Sequence, residues 1–182
     1  MRRAAKISLL LALLLGATEA TFSQEKSFNI ESGIAGGSLA EIRDKRRMLL
    51  LVGRSSTINT RDPAKSILAD ALKMRDQRRI GSISAYNVIG KKLNKYVAKY
   101  NSLDAVEQIE DADFVVVFNL LQLRWNVTRD RLYPYGEMFV FVNQTSGDIN
   151  PRFIWRTKKN LVWAEDAIND FIRELKNVRG EK

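Results

Sequence analysis

Apolar positions in the second half of the chain follow strand patterns. Residues 114–118 are apolar at every position, which predicts a central strand covered on both faces. From Leu121 onward, apolar and polar residues alternate, so the far end of this strand is expected to be half exposed. Strands at 138–142 and 153–157 follow after short connections. This spacing predicts a three-stranded antiparallel meander.

The first half contains one strand pattern and three helix starts. A short apolar run at 48–52, ended by Gly53, is typical of a buried strand. Ahead of it, Ser38 and Glu41 have the spacing of a capping box, which predicts a short helix. Further along, Asp62-Pro63 combines a capping carboxylate with a proline suited to the first helical position.

A second helix is expected after a break at Gly81, with Ser82 or Ser84 as its cap. Apolar residues at helical spacing predict a last helix over 162–178, docked on the sheet. Residues 103–106 add a possible short strand. The predicted fold class is therefore α+β: a mixed sheet with the meander in the second half, packed by about three helices.

Residues 1–20 have the three parts of a secretory signal peptide: a basic start, an apolar run from Ile7 to Ala17 and a small-residue site ending at Ala20. The alternative is a retained membrane anchor, which needs about 20 apolar residues, more than this run supplies. We therefore expect residues 21–37 to form a flexible leader and residues 38–182 to form a single domain.

The amino-acid composition indicates a cellular compartment and a net charge for the protein. The chain has no cysteine, which suits a disulfide-free exported domain of a bacterial periplasm. Residues 1–20 hold three of the 30 basic and one of the 21 acidic residues, which leaves a net charge of +7 after processing. The predicted location is periplasmic or secreted. For such a protein the charge favours cell-envelope polyanions over nucleic acid, or simply keeps the domain soluble.

Four segments of the second half resemble a pattern found in small uncharacterised exported bacterial α+β proteins: ADFVVVF at 112–118, GEMFVF at 136–141, PRFIWR at 151–156 and FIREL at 171–175. The resemblance implies a fold similar to periplasmic modules such as the amino-terminal domain of the Tol system propeller protein. This chain departs from the lipoprotein members because it lacks a lipobox cysteine, and its helical region 63–100 is long. The resemblance brings no catalytic residues with it.

The residue inventory disfavours catalysis. Without histidine and cysteine the chain lacks the commonest general base, metal ligands and thiol nucleophile. The acids between Glu107 and Asp113 are interpreted as a solvated turn, because a buried strand follows at once and leaves no loop to wrap a cation. We therefore expect no enzyme activity, no metal and no cofactor, with a hydrolase as the alternative.

One group of candidate binding residues surrounds the loop predicted at 128–136, between the first two meander strands. Guanidinium groups and flat aromatic rings together favour contact with a partner. The alternative is a hairpin tip whose tyrosines fold back onto the sheet. The candidates are Arg124, Trp125, Arg129, Arg131, Tyr133 and Tyr135.

A second group consists of Lys91, Lys95 and Lys99, which are spaced four residues apart and so form one ridge of a helix. Such a ridge can lie along an anionic surface, although most charged helix faces are simply solvated. From the sequence we expect an exported, non-enzymatic binding or adaptor domain that contacts an envelope protein or glycan. The rival hypothesis is electrostatic binding to anionic lipid or envelope polymer. Neither involves nucleic acid or an integral membrane segment.

Overall fold

The computed structural model describes residues 37–54, 63–75, 80–126, 130–143, 151–159 and 161–182. The predicted signal peptide, most of the predicted leader and the predicted cap Asp62 lie outside these residues. The elements in chain order are a 3-10 helix (Leu39–Ile42), β1 (Arg47–Gly53), α1 (Pro63–Met74), α2 (Ile80–Tyr100), β2 (Asp104–Ala105), β3 (Phe114–Asn126), β4 (Arg131–Asn143), β5 (Pro151–Arg156), β6 (Val162–Trp163) and α3 (Ala164–Arg179).

The strands form one mixed sheet in the order β2-β1-β3-β4-β5, with β6 paired to β4 off this path. β1 runs parallel to both β2 and β3. β3, β4 and β5 are successive antiparallel neighbours, because short connections return the chain directly. The predicted α+β class, the mixed sheet and its three-stranded meander are confirmed.

Helices cover both faces of the sheet. Alternate residues of β3 point to opposite faces, so Phe114, Val116 and Phe118 join a core with α2, α3 and the 3-10 helix. Val115 and Val117 join a second core, which includes α1. The stretch from Phe114 to Leu120 is consequently buried at every position, which confirms the prediction of a central, doubly covered strand.

The start of α2 differs from its prediction. The helix begins at Ile80, so Gly81 lies inside it and neither Ser82 nor Ser84 is its cap. A Cβ atom on Gly81 would lie 2.7 Å from Cδ1 of Leu123 and 2.9 Å from Cδ2 of Leu120. The prediction that Gly81 breaks the helix is therefore wrong, because this glycine serves close contact between α2 and β3.

The predicted loop over 128–136 is also too long, because β4 begins at Arg131. Gly136 lies within the strand, and a Cβ atom there would come within 1.9 Å of the carbonyl oxygen of Asn119 on β3. Glycine at this position allows two backbones to approach each other and does not mark a turn. As a result, Arg131, Tyr133 and Tyr135 are strand residues.

Short polar contacts hold the ends of the elements. The predicted capping box is confirmed: the Ser38 hydroxyl accepts from the N–H of Ala40 at 3.2 Å, and the Glu41 carboxylate accepts from the N–H of Ser38 at 3.0 Å. At the carboxyl end of α3, the Arg179 guanidinium donates to the carbonyls of Ser102 at 2.9 Å and Ile42 at 3.2 Å. The last helix is thus tied to both turns that precede β1 and β2.

Asp113 anchors the start of β1 beside β3. Its carboxylate accepts from the backbone N–H groups of Arg46 at 3.1 Å and Arg47 at 2.8 Å, and from the Arg47 guanidinium at 2.9 Å. Burial alone would raise the pKa of Asp113, but the hydrogen bonds from Arg47 and Arg46 outweigh it and lower this pKa.

Candidate binding surface

β3 and β4 continue as a two-stranded arm beyond the body of the sheet. β1 accompanies β3 only as far as Asn119, which pairs with Gly53. Past that point, among the residues that the structure describes, β4 is the one strand paired with β3, out to Asn126 opposite Arg131. The register shifts between Leu120 and Gln122, where a bulge starts the arm. We define the hairpin arm as residues 121–126 and 131–135.

One face of the hairpin arm is apolar. The register places Leu123 opposite Pro134 and Trp125 opposite Leu132, and paired residues share a face. Trp125 is 56% exposed and Leu123 is 38% exposed. The prediction that this end of the strand leaves the cover is confirmed, and the exposure includes the apolar Leu123 and Trp125, because the covering helices do not extend over the outer end of the arm.

The base of the apolar face rests on the first turn of α2. Gly81 brings this helix against the side chain of Leu123. The Ser84 hydroxyl donates to the carbonyl of Leu132 at 3.4 Å, a long hydrogen bond from the helix to the arm. These contacts support the arm from one side and leave Trp125 projecting beyond them.

The opposite face of the arm combines guanidinium and aromatic groups. The Arg124 guanidinium lies 4.6 Å from the ring centroid of Tyr135, which is a cation–π contact. Its Nε also donates to the side-chain oxygen of Gln122 at 3.1 Å. Nearby, the ring of Tyr133 lies 5.1 Å from that of Trp163 on β6, in a tilted arrangement. Arg124 is therefore held in place while it remains exposed.

The structure divides the predicted partner-binding residues between these two faces. Arg124, Tyr133 and Tyr135 lie on the guanidinium-aromatic face, together with exposed Arg131, while Trp125 points the other way. Arg129 lies outside the described residues. The sequence reasoning missed Leu123 as an exposed apolar residue and Trp163 as the partner of Tyr133. The alternation of apolar and polar residues from Leu121 pointed to the exposure of Leu123, but no local pattern linked Trp163 on β6 to the arm.

Glu137 lies where the arm joins the sheet, opposite the buried Asn119. Burial raises the pKa of Glu137, and the positive charge of Arg156 offsets only part of this shift. This partly buried carboxyl group therefore costs the folded state energy when it ionises.

The predicted lysine ridge is present along α2, but its members differ. Lys91 and Lys95 are exposed, and neither has an ion-pair partner within the described part of the chain. Lys99 donates to the carbonyl of Lys182 at 3.3 Å, and its Nζ lies 4.8 Å from the ring centroid of Tyr100. The free portion of the ridge is therefore formed by Lys91 and Lys95.

The residues that the structure describes contain neither a metal-binding cluster nor a membrane-spanning helix. No three acidic side chains there come together in a set that could hold a metal ion. No helix in the same residues combines the length and the apolar character needed to cross a membrane.

Comparison with known proteins adds little to this description. No protein-family model matches the chain, and no curated protein matches it. Among solved structures, the chain is similar to PelC in a dodecamer from Paraburkholderia phytofirmans, at 11% sequence identity. The alignment covers 83% of this chain and 89% of that one, with a TM-score of 0.32. A TM-score this low carries no inference about this chain.

Proposed function

We propose that this chain is an exported, non-enzymatic binding domain of the bacterial cell envelope, and that the hairpin arm is its contact surface for a protein partner. The observation that carries the proposal is the exposure of Trp125 at the outer end of the arm. A large aromatic side chain left uncovered on an arm held by its own hydrogen bonds is a typical anchor for a partner pocket.

The guanidinium-aromatic face supplies the polar part of the contact. Arg124 is oriented by Tyr135 and Gln122, so it loses little side-chain entropy when it binds. Its free N–H groups suit a carboxylate on the partner. A protein fits this combination better than a glycan, because Leu123, which is 38% exposed, extends the apolar face beyond the single ring that a sugar needs. Export rests on the sequence of residues 1–20.

A second candidate function is electrostatic binding to anionic lipid or envelope polymer. Lys91 and Lys95 favour it because they are adjacent on α2, exposed and free of ion pairs within the described residues. Binding of this kind weakens steeply as salt rises. A complex with vesicles that contain anionic lipid, stable from 50 to 300 mM salt, would exclude it.

The main test is affinity purification from a cell-envelope extract, with the full chain as bait. We expect the double variant Arg124→Ala with Trp125→Ala to lose a protein that the wild type retains. The matched control replaces Lys158 and Lys159 by alanine; both are exposed and lie on the chain after β5. If the arm variant and the control retained the same proteins in equal amounts, the proposal would fail. Retention of a glycan instead of a protein would also contradict it.

A further inference from the structure

A groove of about 790 Å³ runs along the outer edge of β1, between that strand and α2. The strand forms the floor, α2 forms one wall and the end of α1 forms another. Residues in and around β2 also line the groove: Leu103, Ala105, Val106 and Glu107. This edge groove is defined by Leu50, Val52, Met74, Arg75, Ile83 and Tyr86. It lies apart from the hairpin arm and depends on none of the arm's residues.

The backbone of β1 faces the groove without a strand partner. The pairing of β1 with β2 ends at Met48, whose carbonyl accepts from the N–H of Val106 at 3.0 Å. Backbone groups of alternate residues point to the same side of a strand, so those of Leu50 and Val52 face this edge as well. Within the described ranges, no strand pairs with Leu50 or Val52 on this side.

The surroundings of this free edge are apolar. The side chains of Leu50 and Val52 are half-buried in the floor. On the wall, Ile83 is 44% exposed and Tyr86 is 53% exposed, two of the most exposed large apolar residues that the structure describes. Beside Tyr86, a Cβ atom on Gly90 would meet no atom within 4 Å, so the wall is open there. An occupant finds apolar contacts together with unused hydrogen-bonding groups.

The free backbone edge of β1 and its apolar surroundings together indicate what kind of molecule can bind in the groove. An acyl chain would cover the N–H and C=O groups of Leu50 and Val52 and leave them without hydrogen bonds, which is costly. An extended peptide supplies partners for both groups, as when a strand is added to a sheet edge. The edge from Leu50 to Gly53 is about 13 Å long at the rise of a strand, enough for four residues.

Charge at the rim specifies the peptide further. Arg75 lies in the groove, and Lys91 and Lys95 border the shallow surface that continues from it past Tyr86. Glu107 is the acidic residue on the lining. The rim is therefore basic overall, which favours acidic side chains on the occupant.

We propose that the edge groove binds an extended segment of a partner protein as an added strand beside β1. The segment places apolar side chains over Leu50 and Val52 on the α2 side of the sheet. Its alternate, acidic side chains point to the other side, toward Arg75, while Lys91 and Lys95 add attraction at longer range. This site is additional to the hairpin arm.

The test measures fluorescence anisotropy of labelled synthetic heptapeptides, alternating valine or isoleucine with glutamate, against the full chain. The matched probe carries the same side chains with N-methyl groups on alternate backbone nitrogens, in both phases of alternation. We expect the plain peptides to bind and at least one N-methylated phase to bind at least tenfold more weakly, because it lacks the N–H groups that pair with β1. Equal binding of plain and N-methylated peptides would overturn the proposal, since it indicates an apolar pocket without strand pairing. Absence of binding by every plain peptide would overturn it too.

Variants of the chain provide a second, independent test of the added strand. Val52→Pro removes one N–H that faces the groove and none that faces β3, and we expect about fivefold weaker binding. Val52→Ile keeps the N–H and should bind within twofold of wild type. Lys91→Gln with Lys95→Gln should weaken binding about threefold, whereas the same change at Lys158 and Lys159 should not. Each variant is first checked for its fold by circular dichroism. If Val52→Pro folds and binds like wild type, the added strand is contradicted; if it does not fold, the N-methylated probes decide.

Discussion

The two halves of β3 share one strand and one partner, yet their environments are opposite. From Phe114 to Leu120 every residue is buried, whereas from Gln122 to Asn126 every residue is exposed. β4 pairs with both halves. The difference lies in what covers the strand. β1 ends at Gly53, and the helices bury the lower half of β3, Phe114–Leu120, but leave its upper half, Gln122–Asn126, exposed.

This contrast separates hydrophobicity from burial. Leu123 and Trp125 are as apolar as the residues below them, but they remain 38% and 56% exposed. In the lower half, apolar side chains stabilise the fold by leaving water. In the upper half the same chemistry remains available for a partner. Substitutions in the two halves should therefore affect different properties.

The largest effect is expected from Phe118→Ala in the lower half. Phe118 is fully buried, so truncation leaves a cavity and should lower the free energy of unfolding by about 3–5 kcal/mol. Leu123→Ala in the upper half should lower it by about 1 kcal/mol or less, since this side chain is 38% exposed. Urea unfolding of both variants measures the difference. Equal losses would show that the two halves share one core.

Gly136→Ala tests the junction between the halves. The new methyl group would meet the Asn119 carbonyl oxygen of β3, which belongs to the backbone and cannot move aside alone. We expect a loss of about 2–3 kcal/mol in unfolding free energy. Gly81→Ala is the matched control: its methyl group meets the flexible end of Leu123, and alanine favours the helix. Thermal melts of the pair should show the larger decrease for Gly136→Ala, and the reverse order would contradict the close strand contact.

The two ends of the sheet should respond to pH with opposite sign. The pKa of Asp113 is lower in the folded state than its ordinary value of 3.8. The stability that Asp113 contributes to the folded state is therefore complete above pH 3.8, and it is lost as pH falls through the folded-state pKa. Glu137 has a raised pKa, so stability falls as pH rises from 4.5 through its folded-state value. Asp113→Asn should lower the unfolding free energy at pH 7 by about 1–3 kcal/mol, because the backbone donors lose a charged acceptor.

Glu137→Gln should instead flatten the decrease in stability above pH 4.5. Unfolding curves from pH 3 to pH 8 for both variants give the two slopes. The assignment of Glu137 is contradicted if its variant keeps the wild-type decrease, and that of Asp113 is contradicted if its variant is as stable as wild type at pH 7.

The smallest effect on stability is expected from Trp125→Ala. The indole is more than half exposed, so the unfolding free energy should change by less than about 0.5 kcal/mol. Partner binding should nevertheless weaken about 30-fold, because an exposed tryptophan anchor contributes about 2 kcal/mol to a typical contact. Isothermal titration with the captured partner measures this. A melting temperature lowered by many degrees would instead assign Trp125 to the fold.

The sequence predicted the lower half well because burial there leaves a local signature. A continuous apolar run from Phe114 to Phe118 specifies a doubly covered strand, and the proline of Asp62-Pro63 is the first residue of α1 that the structure describes. The helix stripe ending near Val178 likewise identified α3. In each case the pattern that signals the element lies within its own segment of the chain.

The arm was harder to predict, because its geometry depends on distant residues. Gly81 and Gly136 look like breaks in the sequence but serve close contacts with β3. The partner of Tyr133 is Trp163, about 30 positions away, on a two-residue strand with no pattern of its own. The described candidate residues lie together on the arm, but their division into two faces required the register of β3 and β4. The signal peptide and the family resemblance remain predictions.

The most direct test of the hairpin arm is site-specific photocrosslinking in the producing cells. p-Benzoylphenylalanine replaces Trp125 in one strain and the exposed Asn177 of α3 in another. We predict a specific crosslinked protein from position 125 that is absent from position 177. Crosslinks that are identical at the two positions, or present only at position 177, would contradict the claim that the arm is the contact surface.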